Sequence, residues 1–436
     1  MAGAERADAV VRIDGIAAGG AGVGRLESGQ AVFVHRTAPD ETVRVRVTER
    51  KKRWARADLV ELVEASPARR DAPCPHYDRC GGCTLEHLRY DAQLRAKSEI
   101  VREAFRRIGG IEIDAPDVVP SPREFRYRNR VSFTLKRLRD GRVVAGFHTL
   151  GRPDRVLDIS ADCLLPEEPV AEAWRALRES WGDGAARLPA GPELRLTLRA
   201  GHDGAVGLLI EGGDAGTGEA AALLRVVPGL VAVWHRTDRA EMVRTLAGAD
   251  TMSEQWDDFA LDLAPTAFLQ VNRATARLLE DHVLERAGDV AGRTVVDAYC
   301  GVGFHAQRLA AAGASVVGIE LDAAAVEQGR ALAAQRGVPA VFIAGDVAAE
   351  LRAVLPADLV ILNPPRAGID VAVTDALVAQ PPRRLIYVSC DPATLARDAQ
   401  RLAPALRLEA IRCFDLFPQT SHVETVAEFI VSEHGA

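Results

Sequence analysis

No stretch of this chain is long and apolar enough to cross a bilayer. The start, Met1-Ala2-Gly3-Ala4-Glu5-Arg6, carries charge where an export leader needs an apolar core. Cysteine is sparse: 7 in 436 residues, an odd number, which suits free thiols and metal ligands better than a disulfide framework. A cytoplasmic location without membrane contact is expected. No internal repeat, low-complexity tract, heptad seam or long apolar surface helix is present, so a monomer is expected. Net positive charge is missing too: 54 Lys and Arg against 61 Asp and Glu leave −7.

That deficit is not evenly spread. Arg44, Arg46, Arg50, Lys51, Lys52, Arg53 and Arg56 cluster against Glu49 alone, and a second arginine-rich run spans residues 123–142. Interleaved with Trp54, Phe125, Tyr127 and Phe133, both runs resemble surfaces for phosphates and unstacked bases, so RNA is the expected partner.

The length calls for two or three domains. Residues 1–66 hold short strands between glycine-rich turns. The Val–Arg alternation of Thr42-Val43-Arg44-Val45-Arg46-Val47 predicts a strand with one buried and one basic face. A small barrel of the oligonucleotide-binding type is the expected architecture. Residues 67–264 carry a cysteine-bearing segment, then a helix over 91–108 that can pack with the catalytic domain. From Arg126 the pattern is strand-like, with one helix near Glu167–Trp181. Residues 265–436 alternate apolar strands with Ala-rich helices, which specifies a mostly parallel, doubly wound sheet. The fold class is therefore multidomain α/β.

Cys74, Cys80 and Cys83 form a C-x5-C-x2-C cluster that Gly81 and Gly82 allow to bend around one centre; Cys163 is a distant fourth. Zinc and an iron–sulfur cluster both suit four thiolates. In the last domain, Asp297-Ala298-Tyr299-Cys300-Gly301-Val302-Gly303 follows the first strand, and Glu320 closes the second, placed to accept hydrogen bonds from ribose hydroxyls. A dinucleotide also fits that glycine pattern. Asp297, placed to meet a cationic amino-acid end, and the diproline loop Asn363-Pro364-Pro365-Arg366 favour S-adenosylmethionine. Asp346, ending the third strand, reads equally as a pocket contact or a helix N-cap.

Ser389-Cys390-Asp391-Pro392 ends the apolar run Leu385–Val388. At the carboxyl end of a parallel strand a thiol is offered to substrate, so Cys390 is a candidate nucleophile. Asp391 opposes thiolate formation, and Arg366 is a candidate compensating cation.

Together these residues resemble the RNA uridine-5-methyltransferase family, nearest to the branch that methylates large-subunit ribosomal RNA with a TRAM domain and an iron–sulfur domain. The resemblance rests on the four cysteines, Phe268-Leu269-Gln270-Val271-Asn272, the Asp297–Gly303 loop, Asn363–Arg366, Ser389–Leu395 and His422-Val423-Glu424-Thr425. It implies a TRAM barrel, a central β-rich domain holding a [4Fe–4S] cluster on Cys74, Cys80, Cys83 and Cys163, and a Rossmann-like methyltransferase domain. It also implies cofactor contacts from Gln270, Tyr299, Glu320 and Asn363, with Cys390 as nucleophile and Glu424 as general base. A cluster saturated by four cysteines leaves no open iron, so its implied role is structural or RNA-positioning. Asn363 stands where the family often has aspartate, and Phe304 where a polar residue is common.

Rival readings explain less. A radical methylthiotransferase needs C-x3-C-x2-C with one open iron. A base-N-methyltransferase wants an aromatic where Arg366 stands. An oxidoreductase explains only the glycine loop, and a non-catalytic RNA-binding protein leaves Cys390 and Glu424 idle. Transfer RNA is the alternative substrate.

Overall fold

The computed structural model describes residues 8–160, 162–216, 218–237, 242–256 and 259–432; the charged start at residues 1–6 lies outside them. Strands β1 (Asp8–Ile16), β2 (Gly22–Arg25), β3 (Ala31–Val34), β4 (Thr42–Arg50) and β5 (Trp54–Glu64) close into a barrel in the order β1-β2-β3-β5-β4. The period-two pattern is obeyed: Val43 and Val45 fill the barrel, while Arg44 and Arg46 face outward. The basic face is less bare than the sequence suggests. Strand pairing brings Glu61 to Arg44 (2.9 Å) and Asp8 to Arg46 (3.0 Å).

After the barrel come α1 (Tyr90–Ala104), a π-helical turn over Phe105–Gly109 and the two-residue strand β6 (Val118–Val119). Helix α1 is buried on two sides. Ala92, Ala96 and Ile100 meet Ile16 and Ala38 of the barrel, while Val101 joins the core that contains Leu395 and Ala399 of the C-terminal unit. Strand β6 extends the C-terminal sheet. Residues 90–119 are thus built into the C-terminal layer, although the central sheet intervenes before that layer resumes at Arg273. The cause is the double apolar stripe of α1, which needs two partners.

The central sheet contains β7 (Arg130–Arg137), β8 (Val143–Thr149), β9 (Arg152–Asp158), β10 (Glu193–Ala200), β11 (Val206–Glu211), β12 (Leu230–Arg236) and β13 (Arg244–Gly248). Their order is β13-β12-β11-β10-β7-β8-β9. Helix α2 (Glu168–Ser180) covers it, with Trp174 stacked on Phe133 at 3.9 Å. A second helix, α3 (Ala220–Val226), was not expected. The hairpin β14 (Met252–Trp256) and β15 (Phe259–Leu263) leads on.

The C-terminal sheet adds β16 (Thr294–Ala298), β17 (Ser315–Glu320), β18 (Ala340–Ala344), β19 (Leu359–Leu362), β20 (Arg384–Ser389), β21 (Leu406–Phe414) and β22 (Glu424–Val431). The order is β18-β17-β16-β19-β20-β22-β21-β6. Strands β16 to β20 run parallel, and β22 inserts antiparallel between β20 and β21. The layers around it contain α4 (Arg273–Ala287), α5 (Phe304–Ala311), α6 (Ala323–Arg336), α7 (Val347–Val354), α8 (Val371–Ala379) and α9 (Pro392–Leu402). Asp322, Asp346, Asp370 and Asp391 start α6 to α9, each side chain accepting an amide of the first turn. Among the described residues no helix is long and apolar enough to cross a membrane.

Candidate active site

The parallel strands all end on one edge of the sheet, where the following loops gather the expected cofactor residues. Asp297 is only 1% exposed. Its Oδ2 accepts the Ala306 amide at 2.9 Å, and its Oδ1 has no partner. Burial pushes this carboxyl up to about 7. Beyond it the Tyr299 amide is fastened to the Ile319 carbonyl at 2.8 Å, and Tyr299, Gly301 and Gly303 adopt left-handed backbone angles. A Cβ on Gly303 would lie 2.3 Å from the Phe342 ring, whereas one on Gly301 would meet nothing within 4 Å. The loop is therefore packed beneath and open above.

Glu320 ends β17, where its Oε2 accepts the Gly301 amide and its Oε1 the Asp322 amide, both at 2.9 Å. Asp346 caps α7 through the Ala348 amide at 3.0 Å, which is the capping role weighed for it. Its charge also reaches the Tyr299 phenol, which burial first of all pushes up to about 12. Asn363 follows β19 and is held by its amide to the Ala298 carbonyl at 3.2 Å. Gln270 stands on the connection into α4, with its carbonyl bound by Asn129 Nδ2 at 3.2 Å. An unpartnered buried carboxylate oxygen, a turn open on one side and an acid closing the second strand fit an adenosyl cofactor with a cationic head.

Cys390 follows the last residue of β20. Ser389 pairs with Thr425 across the antiparallel ladder, so one step further Cys390 leaves the ladder beside Glu424, the first residue of β22. Cys390 is half-buried. Burial, and then the Glu424 and Asp391 charges, push its thiol up; Arg366 pulls it down. Glu424 is 3% exposed, and burial pushes its carboxyl up to about 7 against the pull of Arg366. Asp391 spends its charge on the start of α9, accepting the Ala393 amide at 2.8 Å and the Thr394 amide at 3.2 Å. The loop bearing Arg366 is tied to the same helix. Arg397 donates to the Ala367 carbonyl at 2.8 Å, and Asp398 accepts the Ile369 amide at 3.0 Å and the Tyr387 hydroxyl at 2.9 Å. A thiol, a buried carboxyl raised to about 7 and a guanidinium thus meet at one strand end.

Cys74, Cys80, Cys83 and Cys163 line one cavity together with His76 and Glu86, and all four are free thiols. Burial pushes every one up, Cys74 to about 11 and Cys163 to about 12. Glu86 turns Oε1 to the Cys74 amide at 2.7 Å and leaves its buried Oε2 without a partner. Among the described residues, no three His, Cys, Asp or Glu side chains are gathered closely enough to hold a single ion. Arg36 of the barrel reaches into this loop, donating to the carbonyls of Cys83 (2.9 Å), Cys80 (2.8 Å) and Tyr77.

Two aromatics expected on an RNA surface lie elsewhere. Phe133 is fully buried against Trp174, and Tyr127 is buried with its hydroxyl on the Pro418 carbonyl at 2.9 Å. Part of the arginine run near them is also spent on backbone: Arg126 donates to Cys163 and Pro166, and Arg137 to Gly184, Ala185 and Gly191. Trp54 stays at the barrel surface, half-buried beneath Arg56 at 5.0 Å. Arg36 and Gln419 were not singled out from sequence, because an isolated loop residue has no period or spacing to mark it.

Family models match three parts of the chain: the TRAM domain over residues 9–60, the methyltransferase small domain over 269–387 and tRNA (Uracil-5-)-methyltransferase over 355–429. An uncharacterized RNA methyltransferase of Gloeobacter violaceus is 38% identical over 96% of this chain and 95% of its own length. One from Thermosynechococcus vestitus is 35% identical over 96% of each. Among solved structures, the Pyrococcus abyssi tRNA (uracil-54, C5)-methyltransferase in complex with S-adenosyl-L-homocysteine superposes with a TM-score of 0.74. It is 28% identical and covers 97% of this chain and 100% of its own.

Proposed function

The chain belongs to the RNA methyltransferases that modify carbon 5 of uracil with S-adenosylmethionine, and from that premise we propose that its target is a uridine of large-subunit ribosomal RNA, methylated through a covalent adduct with Cys390. The observation carrying the covalent part of this reading is the meeting of the Cys390 thiol, the buried Glu424 carboxyl and the Arg366 guanidinium at the end of β20, while the ribosomal target rests on the resemblance of the whole chain to the branch with a TRAM domain and four cysteines.

Carbon 5 of uracil is too weak a nucleophile to take a methyl group unaided. Addition of the Cys390 thiolate to carbon 6 places an electron pair on carbon 5 and the adjoining carbonyl. When bound, S-adenosylmethionine supplies an electrophilic methyl group. Carbon 5 takes that methyl group with its electron pair, the pair of the broken carbon–sulfur bond staying on the sulfonium sulfur, and then carries both methyl and hydrogen. Glu424, whose carboxyl burial pushes up to about 7, removes that hydrogen as a proton in its ionised form. The carbon–sulfur bond breaks with its electrons returning to Cys390, and the ring double bond is restored. Arg366 offsets negative charge on the thiolate and on the ionised Glu424. The target base must be unstacked to reach the thiol, at a cost of a few kcal/mol, which phosphate contacts of the exposed Arg50, Lys52 and Arg53 of the barrel would offset.

Gln270, Tyr299, Glu320 and Asn363 are the proposed cofactor contacts, with Asp297, Gly301, Gly303 and Asp346 shaping the pocket. Cys74, Cys80, Cys83 and Cys163 would hold a [4Fe–4S] cluster, which would join the loop after the barrel to the segment between β9 and α2 of the central unit. The sharing of one cavity by the four thiols supports a common centre, and the family resemblance favours a cluster over a zinc ion there. A transfer-RNA uridine is the second reading, favoured by the full-length match to the Pyrococcus abyssi enzyme.

The test is direct. RNA carrying 5-fluorouridine is trapped by the wild-type protein with cofactor and not by Cys390→Ala; trapping by the alanine variant would sink the covalent mechanism. Mapping 5-methyluridine in ribosomal and transfer RNA from cells with and without the gene decides the substrate. Iron analysis and visible absorption of the purified protein decide the metal.

A further inference from the structure

Five residues before Glu424 stands a fully buried glutamine whose polar groups are all engaged. Gln419 has a left-handed φ of 71°. Its amide donates to Gln93 Oε1 at 2.9 Å, and its carbonyl accepts the Thr84 and Leu85 amides, both at 2.9 Å. Its Oε1 accepts Gln93 Nε2 and Arg70 Nη2 at 2.9 Å, and its Nε2 donates to Glu124 at 3.3 Å. Thr84 and Leu85 directly follow Cys83. A second tie lies two residues on, where the Ser421 amide donates to Thr84 Oγ1 at 3.1 Å and Ser421 Oγ to the barrel carbonyl of Ala18 at 2.6 Å. The short segment leading into the base is therefore fastened to the end of the cysteine loop and to the barrel. Nothing in the proposed chemistry uses these bonds.

We infer that Gln419 is a positioning residue: it sets the start of β22, and so the Glu424 carboxylate, against the substrate held on Cys390, and it makes that placement depend on the cysteine loop. This rests on the covalent reading above. Glu424 acts only after the methyl group has arrived. Loosening its mooring should spare addition and methyl transfer and slow proton removal, so that methylated RNA stays attached to Cys390. Alanine at 419 would confound the result by keeping the left-handed strain. Gln419→Gly tolerates that φ, keeps the backbone bonds to Gln93, Thr84 and Leu85, and removes the side-chain bonds to Gln93, Arg70 and Glu124. Thr84→Val cuts the second tie from the other side.

The experiment follows one turnover of full-length protein on uridine-containing RNA with labelled cofactor. It measures label in the denaturant-stable protein–RNA complex separately from label in free RNA. For both variants the first should form within about threefold of the wild-type rate, while release of free RNA slows about 10- to 100-fold, the cost of a misplaced group. The midpoint of release against pH should stay in place while its plateau falls, because the base is moved and not retuned. Equal slowing of both steps, or no slowing of release, would overturn the positioning role. Full activity of Cys390→Ala would instead overturn the covalent reading beneath it, so the two failures are told apart.

Discussion

Glu424 and Glu428 project from the same face of β22, are 3% and 2% exposed, and have opposite electrostatic surroundings. Arg286 and Arg384 grip the two oxygens of Glu428 at 2.6 and 2.9 Å, whereas Glu424 faces the Cys390 thiol and only the more distant pull of Arg366. Glu428 thus has a cation on each oxygen, whereas burial pushes the Glu424 carboxyl up to about 7.

That difference has a sign in stability. The folded protein holds the Glu424 carboxyl at about 7, above its ordinary 4.5, so folding favours the protonated form; this contribution is complete below pH 4.5 and is lost as pH rises through 7. At pH 8, Glu424→Gln should be more stable than wild type by up to about 3 kcal/mol, an advantage that vanishes near pH 4. Glu428→Gln should be less stable at pH 8 by about 1–3 kcal/mol, having stranded two partly exposed arginines. Denaturant unfolding at the two pH values checks both. Only the first should lose proton removal, by about 100-fold or more.

Arg366 pulls both Cys390 and Glu424 downward. In Arg366→Met both groups should titrate higher, so fewer molecules hold the thiolate and the carboxylate at pH 7. The rate–pH profile should move to alkaline pH, with turnover at pH 7 falling about 10-fold and partly recovering by pH 9. A profile that drops uniformly without moving would mean that Arg366 binds substrate alone.

Gly303 combines a left-handed φ of 78° with the Phe342 ring against its missing Cβ. Gly303→Ala should weaken S-adenosylmethionine binding at least about 10-fold, since about 1 kcal/mol of backbone strain is added to a clash that displaces the loop. Adding Phe342→Leu should restore only the steric share. Calorimetric titration of the cofactor separates the two.

Lys97 of α1 and Asp415, just beyond β21, are both fully buried and paired, and Lys97 also donates to the Phe417 carbonyl at 3.0 Å. Lys97→Met should cost about 3–5 kcal/mol by leaving the buried Asp415 without its cation, and a second change, Asp415→Leu, should recover much of it. Equilibrium unfolding of the single and double variants measures the coupling.

Much of this architecture is written in short-range pattern. The Val–Arg alternation of β4, the apolar runs of β16 to β20, and a cysteine placed at a strand end follow from spacing alone, because a strand's period shows which side it must bury. The clustered cysteines and the Asp297–Gly303 turn are local as well, and a linear reading finds them.

Tertiary structure decided the rest. Residues 424–429 alternate like a half-exposed strand, yet β22 is inserted between β20 and β21 with both faces covered, and this alone lifts Glu424 toward neutrality. Likewise Phe133 and Tyr127 read as surface aromatics until α2 and the segment after β21 close over them. The outward arginines of β4 met acids contributed by other strands. Periodicity reports what a segment needs to bury; which distant charge, ring or amide comes to lie beside it depends on pairings made across hundreds of residues, and those set the chemistry of the site.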